Sequence, residues 1–391
     1  MINVLYISHE SDAILGSTLS LANMLHAVRN EVRPLILLRA KGPAYDYLSS
    51  LGYECIVYPF KLNLAPKRLA WLKRIPRTLY DMWVNARSCV ELEKIVTERH
   101  IQIIHSNSSV TLFGYQLAHH LAKNRIAAIP HVWHLREFID RDFGYQPFCG
   151  WERLRYFVND SHAIIAITQA IHDHFVTDHG RPYFHVLNDA VRSMDDISVS
   201  TKEPYLLFCG QVIPAKGADV ALQIFAQVKA VHPEYRLKYL GSVTDQYRQE
   251  LLTLANQLGL APTEIEFLGF QRDIRPIMQK ATALLMCSRN EAQGRVTVEA
   301  MFYGTPVIGS NSGGTPEIIQ HEVNGLLFDS IDQAVNHTLR IIEEPAFAPQ
   351  LIKDAHQTAA ERFSEEKYRD QLLKIYRSVL ITSSNNAESP S

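Results

Sequence analysis

Cysteine is scarce in this sequence: five in 391 residues, at Cys55, Cys89, Cys149, Cys209 and Cys287, with no C-x-x-C spacing among them. That excludes a disulfide framework and a cysteine metal site. Three of the five fall inside or at the end of apolar runs, where a free thiol behaves as a small hydrophobe. Charge of one sign is equally lacking. The 39 Lys plus Arg against 41 Asp plus Glu leave a formal net charge of −2, so nothing global attracts nucleic acid. No apolar run approaches the roughly 20 residues that span a bilayer. Met1 runs straight into a strand pattern without a basic n-region or cleavage site, which reads as a cytoplasmic protein. The 17 histidines invite a metal reading, but His172 and His174 lie two apart on a predicted helix, where side chains share no face. No metal is expected.

What is present is apolar material in alternation. Hydrophobic residues make up 47% of the chain, enough for two ordinary cores at this length. Short apolar runs at 2–8, 32–38, 53–58, 101–106, 130–135 and 163–168 read as strands separated by helical patterns, hence βαβ units and a parallel sheet. The alternation restarts at 205–210 and continues through 235–241, 265–269, 281–287 and 305–310. The expected domains are therefore 1–190 and 203–362, joined by a polar connector, Arg192 to Pro204. The apolar-poor end, 383–391, reads as a disordered tail. One stretch breaks the rhythm. Residues 61–80 carry six basic residues and no acid, interleaved with leucines and Trp71. Such a mixture suits contact with anionic headgroups, and a peripheral membrane contact is expected there.

The chemistry concentrates between Glu291 and Glu317, EAQGRVTVEAMFYGTPVIGSNSGGTPE. Glu291 stands in the loop after a buried strand. Gly294 opens a helix, and Glu299 lies about a turn into it. Ligands of open α/β sheets bind beyond the carboxyl strand ends, and the amides of Gly294, Arg295 and Val296 are the unpaired donors of a helix start, an anion site. An acid on each side of an anion site suits a nucleotide sugar. Two other loops follow first strands: Ser8 to Gly16, leading into Ser17-Thr18 as an expected helix cap, and GQVIPAKG, Gly210 to Gly217. Neither is the G-x-G-x-x-G of a dehydrogenase.

The paired glutamates, the Gly-Thr-Pro-Val-Ile strand and Gly-Gly-Thr-Pro-Glu together resemble the retaining glycosyltransferases of family 4, the group 1 glycosyltransferases. The resemblance implies an α/β protein of the GT-B fold, two facing Rossmann-like domains with a cleft, and a last helix, about 364–381, crossing back onto the first domain. It implies transfer of a sugar from a UDP- or GDP-sugar to a glycan or lipid-phosphate-linked acceptor, in cell-surface polysaccharide or glycolipid synthesis, without a cofactor. Glu291, Lys216 and His134 take the catalytic roles. Gly16, Gly210, Gln211, Gly269, Gly294, Arg295, Val296 and Glu299 face the donor, with Glu299 on the ribose hydroxyls. Ser17, Arg136 and Glu137 face the acceptor. His134 is preferred to His131, three residues earlier, which points elsewhere on an extended strand. Gln211 departs from the family, whose loop has an arginine there; Arg295 is the candidate for the missing cation. That departure keeps open a non-catalytic nucleotide-sugar-binding protein of the same fold. Asp189 departs from the family's Asn-Gly, a difference expected to concern only a turn.

Overall fold

The computed structural model describes residues 1–66, 74–176, 184–191, 200–344 and 346–387. Contacts divide the chain into two compact units, Met1–Ala190 with Glu365–Ser391, and Val191–Ser364.

The first unit is built on β1 (Ile2–Ser8), β2 (Val32–Leu38), β3 (Glu54–Val57), β4 (Leu64–Pro66), β5 (Ile103–Ser106), β6 (His131–Leu135), β7 (Tyr145–Pro147), β8 (Ala163–Ala166) and β9 (Phe184–Val186). Seven of these form one sheet in the order β3-β2-β1-β5-β6-β8-β9, every pairing parallel. Val4, Leu5, Tyr6 and Ile7 are all fully buried, as a strand covered on both faces requires. Even-numbered Val4 and Tyr6 join one core, odd-numbered Leu5 and Ile7 the other, the period-2 signature of a strand. The helix Glu365–Ala387 returns to this unit and places Tyr368, Leu372 and Tyr376 in the Tyr6 core.

The second unit carries β10 (Glu203–Cys209), β11 (Arg236–Leu240), β12 (Ile265–Gly269), β13 (Ala281–Met286), β14 (Val307–Ser310) and β15 (Leu326–Phe328). Their order is β12-β11-β10-β13-β14-β15, again all parallel. In each unit the first strand is central, with its successor on one side and a later strand on the other. This is the topological switch point, where a crevice opens at the carboxyl strand ends.

Three-residue strands escape the sequence pattern. β4 and β7 pair antiparallel as a separate two-stranded sheet, and β9 and β15 extend the main sheets. The basic stretch 61–80 runs through β4 and ends in the helix Arg74–Glu98. Its residues 67–73, Trp71 included, lie outside the described residues, as do 192–199 of the connector. The expected tail is shorter than its composition suggested: the last helix runs on to Ala387, and 388–391 lie outside the described residues. Among the described residues no helix is long and apolar enough to cross a membrane.

Candidate active site

In the second unit the loops after β10 and β13, neighbours at the switch point, meet through one ion pair. Lys216 closes a short 3-10 turn, Pro214–Lys216, and is followed by Gly217 at φ +71°. A Cβ on Gly217 would stand 2.0 Å from the carbonyl oxygen of Cys287, so glycine alone lets the Lys216 loop lie against the end of β13. There the Lys216 ammonium donates to both oxygens of Glu291, at 3.0 and 2.9 Å. Ser288 adds a hydroxyl donor to the same carboxylate at 2.6 Å. Burial alone would push the Glu291 carboxyl up. Lys216, the Ser288 hydroxyl and the Ala292 amide outweigh it and hold the group below the usual carboxylate range.

Gly294 caps the helix Arg295–Phe302 at φ +87°. The first amides of this helix have no acceptor within it, and its positive end faces the loop. Val296 is half-buried beside Arg295. One turn further, Glu299 accepts from Arg295 at 2.9 Å, with both side chains largely covered. The Gly-Gly of the following loop also serves Glu291. The Gly314 amide donates to the Glu291 carbonyl at 2.7 Å, and a Cβ on Gly313 would fall 2.3 Å from that oxygen. Ser312 does not cap the helix that follows. Its hydroxyl donates to the Ser288 carbonyl at 3.0 Å, and the short helix Thr315–Ile318 starts from Gly314. Gly210, Gly241 and Gly269 line up at neighbouring strand ends: the Gly241 amide donates to Gly269 O at 3.0 Å, and a Cβ on Gly241 would meet Gly210 O at 1.9 Å. Gln211, between Gly210 and the buried Val212, is exposed.

In the first unit, the loop after β1 departs from expectation at the helix start. The helix is Gly16–Ala27 with Leu15 at its N-cap and no side-chain cap from Ser17 or Thr18. Glu10 supplies the acceptor instead: its carboxylate takes the Thr18 amide at 3.0 Å and the Thr18 hydroxyl as well. A carboxylate at a helix N-terminus gains from the dipole as well as the hydrogen bond. The hydroxyls of Ser8, Ser11 and Ser17 are covered and have no protein partner, and a Cβ on Gly16 would touch nothing.

The register places Ile7 opposite Ser106 and Ser106 opposite Trp133, so the next row is Ser8, Asn107 and His134. His131 has both ring nitrogens engaged, by Ser106 at 2.9 Å and Ser161 at 3.1 Å. His134 is fully buried, its Nδ1 stands 3.3 Å from both His105 Nε2 and Arg136 Nη2, and its Nε2 has no protein partner. Arg136 and Glu137, expected at the acceptor, are tied into the unit's interior. Arg136 Nε donates to Asn107 at 2.8 Å and Nη1 to the Asp189 carboxylate at 2.6 Å. Glu137 accepts from the Ser109 amide at 2.9 Å and the Ser108 hydroxyl at 3.1 Å. A guanidinium buried this deeply needs a counter-ion, and Asp189 is that ion. The departure from the family at Asp189 is thus more than turn chemistry.

Ser288, Arg289, His105 and Tyr376 were missed in the sequence, and Asp189 was noted there only as a difference in a turn. Arg289 pairs with Asp219 at 2.7 Å and its amide donates to Ala215 O at 3.1 Å, bracing the Lys216 loop. Nothing in one sequence flags Tyr376, which is 271 positions from the His105 it bonds. Ser288, at the end of β13 and three residues before Glu291, was visible by position. Among the described residues no group of three His, Cys, Asp or Glu side chains is placed to hold a metal ion.

Residues 192–359 match the family of glycosyl transferases group 1. Curated relatives include a D-inositol 3-phosphate glycosyltransferase of Saccharomonospora viridis, 32% identical over 187 residues, 45% of this chain and 43% of that one. Another is the N-acetyl-alpha-D-glucosaminyl L-malate synthase of Bacillus anthracis, 24% identical over 57% of this chain and 58% of that one. The chain spans about half the length of the curated relatives it matches. Among solved structures it is similar to Anabaena HepE in complex with UDP and glucose, with TM-score 0.75, 23% identity, and coverage of 97% of this chain and 100% of that one. It is also similar to the sucrose-phosphate synthase of Thermosynechococcus elongatus, at TM-score 0.73, 17% identity, and coverage of 98% and 100%. The two parallel-sheet units are those of the GT-B fold, and the match to the group 1 glycosyl transferases lies in the second of them.

Proposed function

We propose that this chain is a retaining, metal-independent glycosyltransferase that moves a sugar from a nucleoside-diphosphate sugar to a hydroxyl of a glycan or lipid-linked acceptor. The observation that carries the reading is the pair of ion pairs, Lys216 with Glu291 and Arg295 with Glu299, on either side of the Gly294 helix start. A donor sugar diphosphate brings hydroxyls for both carboxylates and an anion for both cations. Glu299 accepts from the ribose hydroxyls, for which two carboxylate oxygens are well shaped. Lys216, Arg295 and the helix amides take the diphosphate, and Glu291 holds a sugar hydroxyl. As the bond from the anomeric carbon to the phosphate oxygen breaks, negative charge grows on the diphosphate, and preorganised donors there stabilise it. The acceptor oxygen bonds to the anomeric carbon on the same face, and its proton passes to the leaving phosphate. HepE was solved with UDP and with UDP-glucose, which favours uridine as the base to test first.

The acceptor reading extends to membranes. On the helix Arg74–Glu98, Leu79, Met82 and Trp83 are each about 60% exposed, and Arg77 and Arg87 are also exposed. An apolar side chain set among cations suits the boundary between headgroups and acyl chains. Such a surface would hold the enzyme at the cytoplasmic face beside a lipid-linked acceptor in polysaccharide or glycolipid synthesis.

Thermal unfolding with a panel of UDP-, GDP- and ADP-sugars, on wild type and Glu299→Ala, tests the donor half. A ligand at a hundredfold excess over its dissociation constant raises apparent stability by about 2.7 kcal/mol. One nucleotide class stabilising wild type and not the variant identifies the donor. Stabilisation without transfer to any glycan or lipid acceptor would favour a binding protein of this fold.

A further inference from the structure

We infer that Tyr6, Tyr376, His105 and Arg136 form a one-way hydrogen-bond chain that locks His134 as the Nε2–H tautomer, making it a hydrogen-bond donor to a substrate oxygen and not a general base. The first step is the guanidinium. Arginine has donors only, and Arg136 Nη2 stands 3.3 Å from His134 Nδ1. That nitrogen must offer its lone pair, so the neutral ring carries its proton on Nε2. Both His105 and His134 are neutral at physiological pH, because burial, and then the Arg136 charge, lower their basicity.

The rest of the chain agrees in direction. His105 Nε2 faces the same His134 Nδ1 at 3.3 Å, so its proton is on Nε2 and its own Nδ1 accepts. Tyr376 supplies the O–H for that acceptor at 2.8 Å. The Tyr376 oxygen then takes the hydroxyl of Tyr6 at 3.0 Å. Reversing any link would set two donors or two acceptors against each other at Arg136. Asp189 and Asn107 hold the guanidinium in place. At the far end, His134 Nε2 is left as a buried donor with no protein acceptor, a group that costs stability unless an oxygen meets it. Tyr376 and Tyr6 are positioning residues, and through Tyr376 the returning helix takes part in the chemistry.

That His134 meets substrate rests on the glycosyltransferase reading; its tautomer does not. Nitrogen-15 spectra of protein labelled at histidine separate the two. The expected result at pH 7 is a bare, acceptor-type Nδ1 and a protonated Nε2 for His134, unchanged down to about pH 5. Assignment uses His134→Gln, which removes the signal. A protonated Nδ1, or a ring that titrates above pH 6, overturns the chain. Tyr376→Phe should strip His105 Nδ1 of its donor and shift the His105 resonances while His134, held by Arg136, keeps its tautomer, with the unfolding midpoint monitored separately. In transfer assays, His134→Gln, whose amide keeps a donor near the Nε2 position, should retain activity within about tenfold. His134→Ala should lose ~100-fold or more, as for other single donors to developing charge. Glutamine as inactive as alanine, with correct tautomers, would leave the chain standing and remove the donor role.

Discussion

The Lys216 ammonium lies within 3.0 Å of both oxygens of Glu291, so a cation and an anion expected to touch different parts of one ligand hold each other instead. The pair sits between the loops of β10 and β13, where Glu291 is 9% exposed and Lys216 about a third exposed. Replacing Lys216 leaves a buried carboxylate without its cation, which is costly; discounting for the partial exposure of Lys216 gives on the order of 2 kcal/mol. Lys216→Ala should therefore lower the unfolding midpoint at pH 7. The folded Glu291 carboxyl titrates below its unfolded value, so its contribution is present above the unfolded value, near pH 4.3, and fades as pH falls through the folded one. The deficit of the variant should therefore persist down to about pH 4.3 and shrink only as pH falls further. Catalysis should fall ~100- to 1000-fold, the usual effect of one lost electrostatic stabiliser. A deficit that fades already between pH 7 and pH 5, well above the carboxylate range, would mean that Glu291 is not the group responsible.

Arg295 is the test of the departure at Gln211. The exposed Gln211 carries no charge, and charge-assisted hydrogen bonds are about twice as strong as neutral ones. Arg295 follows the Gly294 cap and pairs with Glu299 over one helical turn, placing a guanidinium at the anion-attracting end of the helix. If it supplies the second cation for the diphosphate, Arg295→Ala should reduce kcat/KM about as much as Lys216→Ala. Activity near wild type would assign Arg295 to holding Glu299 alone.

Ser288 gives a smaller and more selective effect. Its hydroxyl reaches Glu291 at 2.6 Å, and hydrogen bonds to charged groups contribute about 1.5–3 kcal/mol. Ser288→Ala should leave nucleoside diphosphate affinity unchanged, since no contact to that part is altered. It should lower kcat by roughly 10- to 100-fold, through a less firmly held Glu291. A parallel loss of UDP affinity would place the Ser288 contact on the nucleotide side.

Much of the candidate site in the second unit was legible in the sequence because its parts are local. Gly294, Arg295 and Glu299 lie within one helix start, and Glu291 lies three residues before it. The double glycine also stands in the sequence, but its use does not: that Gly313 and Gly314 clamp the Glu291 carbonyl needs the packed loops. The first unit was less legible. Arg136 and Glu137 look like exposed charges at a strand end, yet their partners, Asp189 and Ser109, come from other parts of the chain. Burial of a charge is decided by such distant partners, and a single sequence does not display them. The helix start at Gly16 was misjudged for a related reason, since Glu10 outcompetes Ser17 and Thr18 as the cap through a loop that folds back.

Two glycines separate a structural role from a ligand role. Gly217 combines a positive φ with a carbonyl 2.0 Å from its absent Cβ, so Gly217→Ala must move the Lys216 loop away from Cys287. Strain in a positive-φ conformation is of order 1–3 kcal/mol, and the clash adds to it, so both stability and activity should fall. Gly16 stands at the first position of its helix with open space where a Cβ would go. Alanine is the better helix former there, by up to about 1 kcal/mol, so Gly16→Ala should hold or raise the unfolding midpoint. If substrate lies against the loop after β1, as the covered hydroxyls of Ser8, Ser11 and Ser17 suggest, the added methyl meets it. Transfer should then fall at least tenfold in kcat/KM while the fold gains stability. Unfolding midpoints and steady-state rates on the two variants are enough to decide. Unimpaired transfer by Gly16→Ala would move the substrate away from this loop, whereas a stable, active Gly217→Ala would show that the Lys216 loop tolerates displacement.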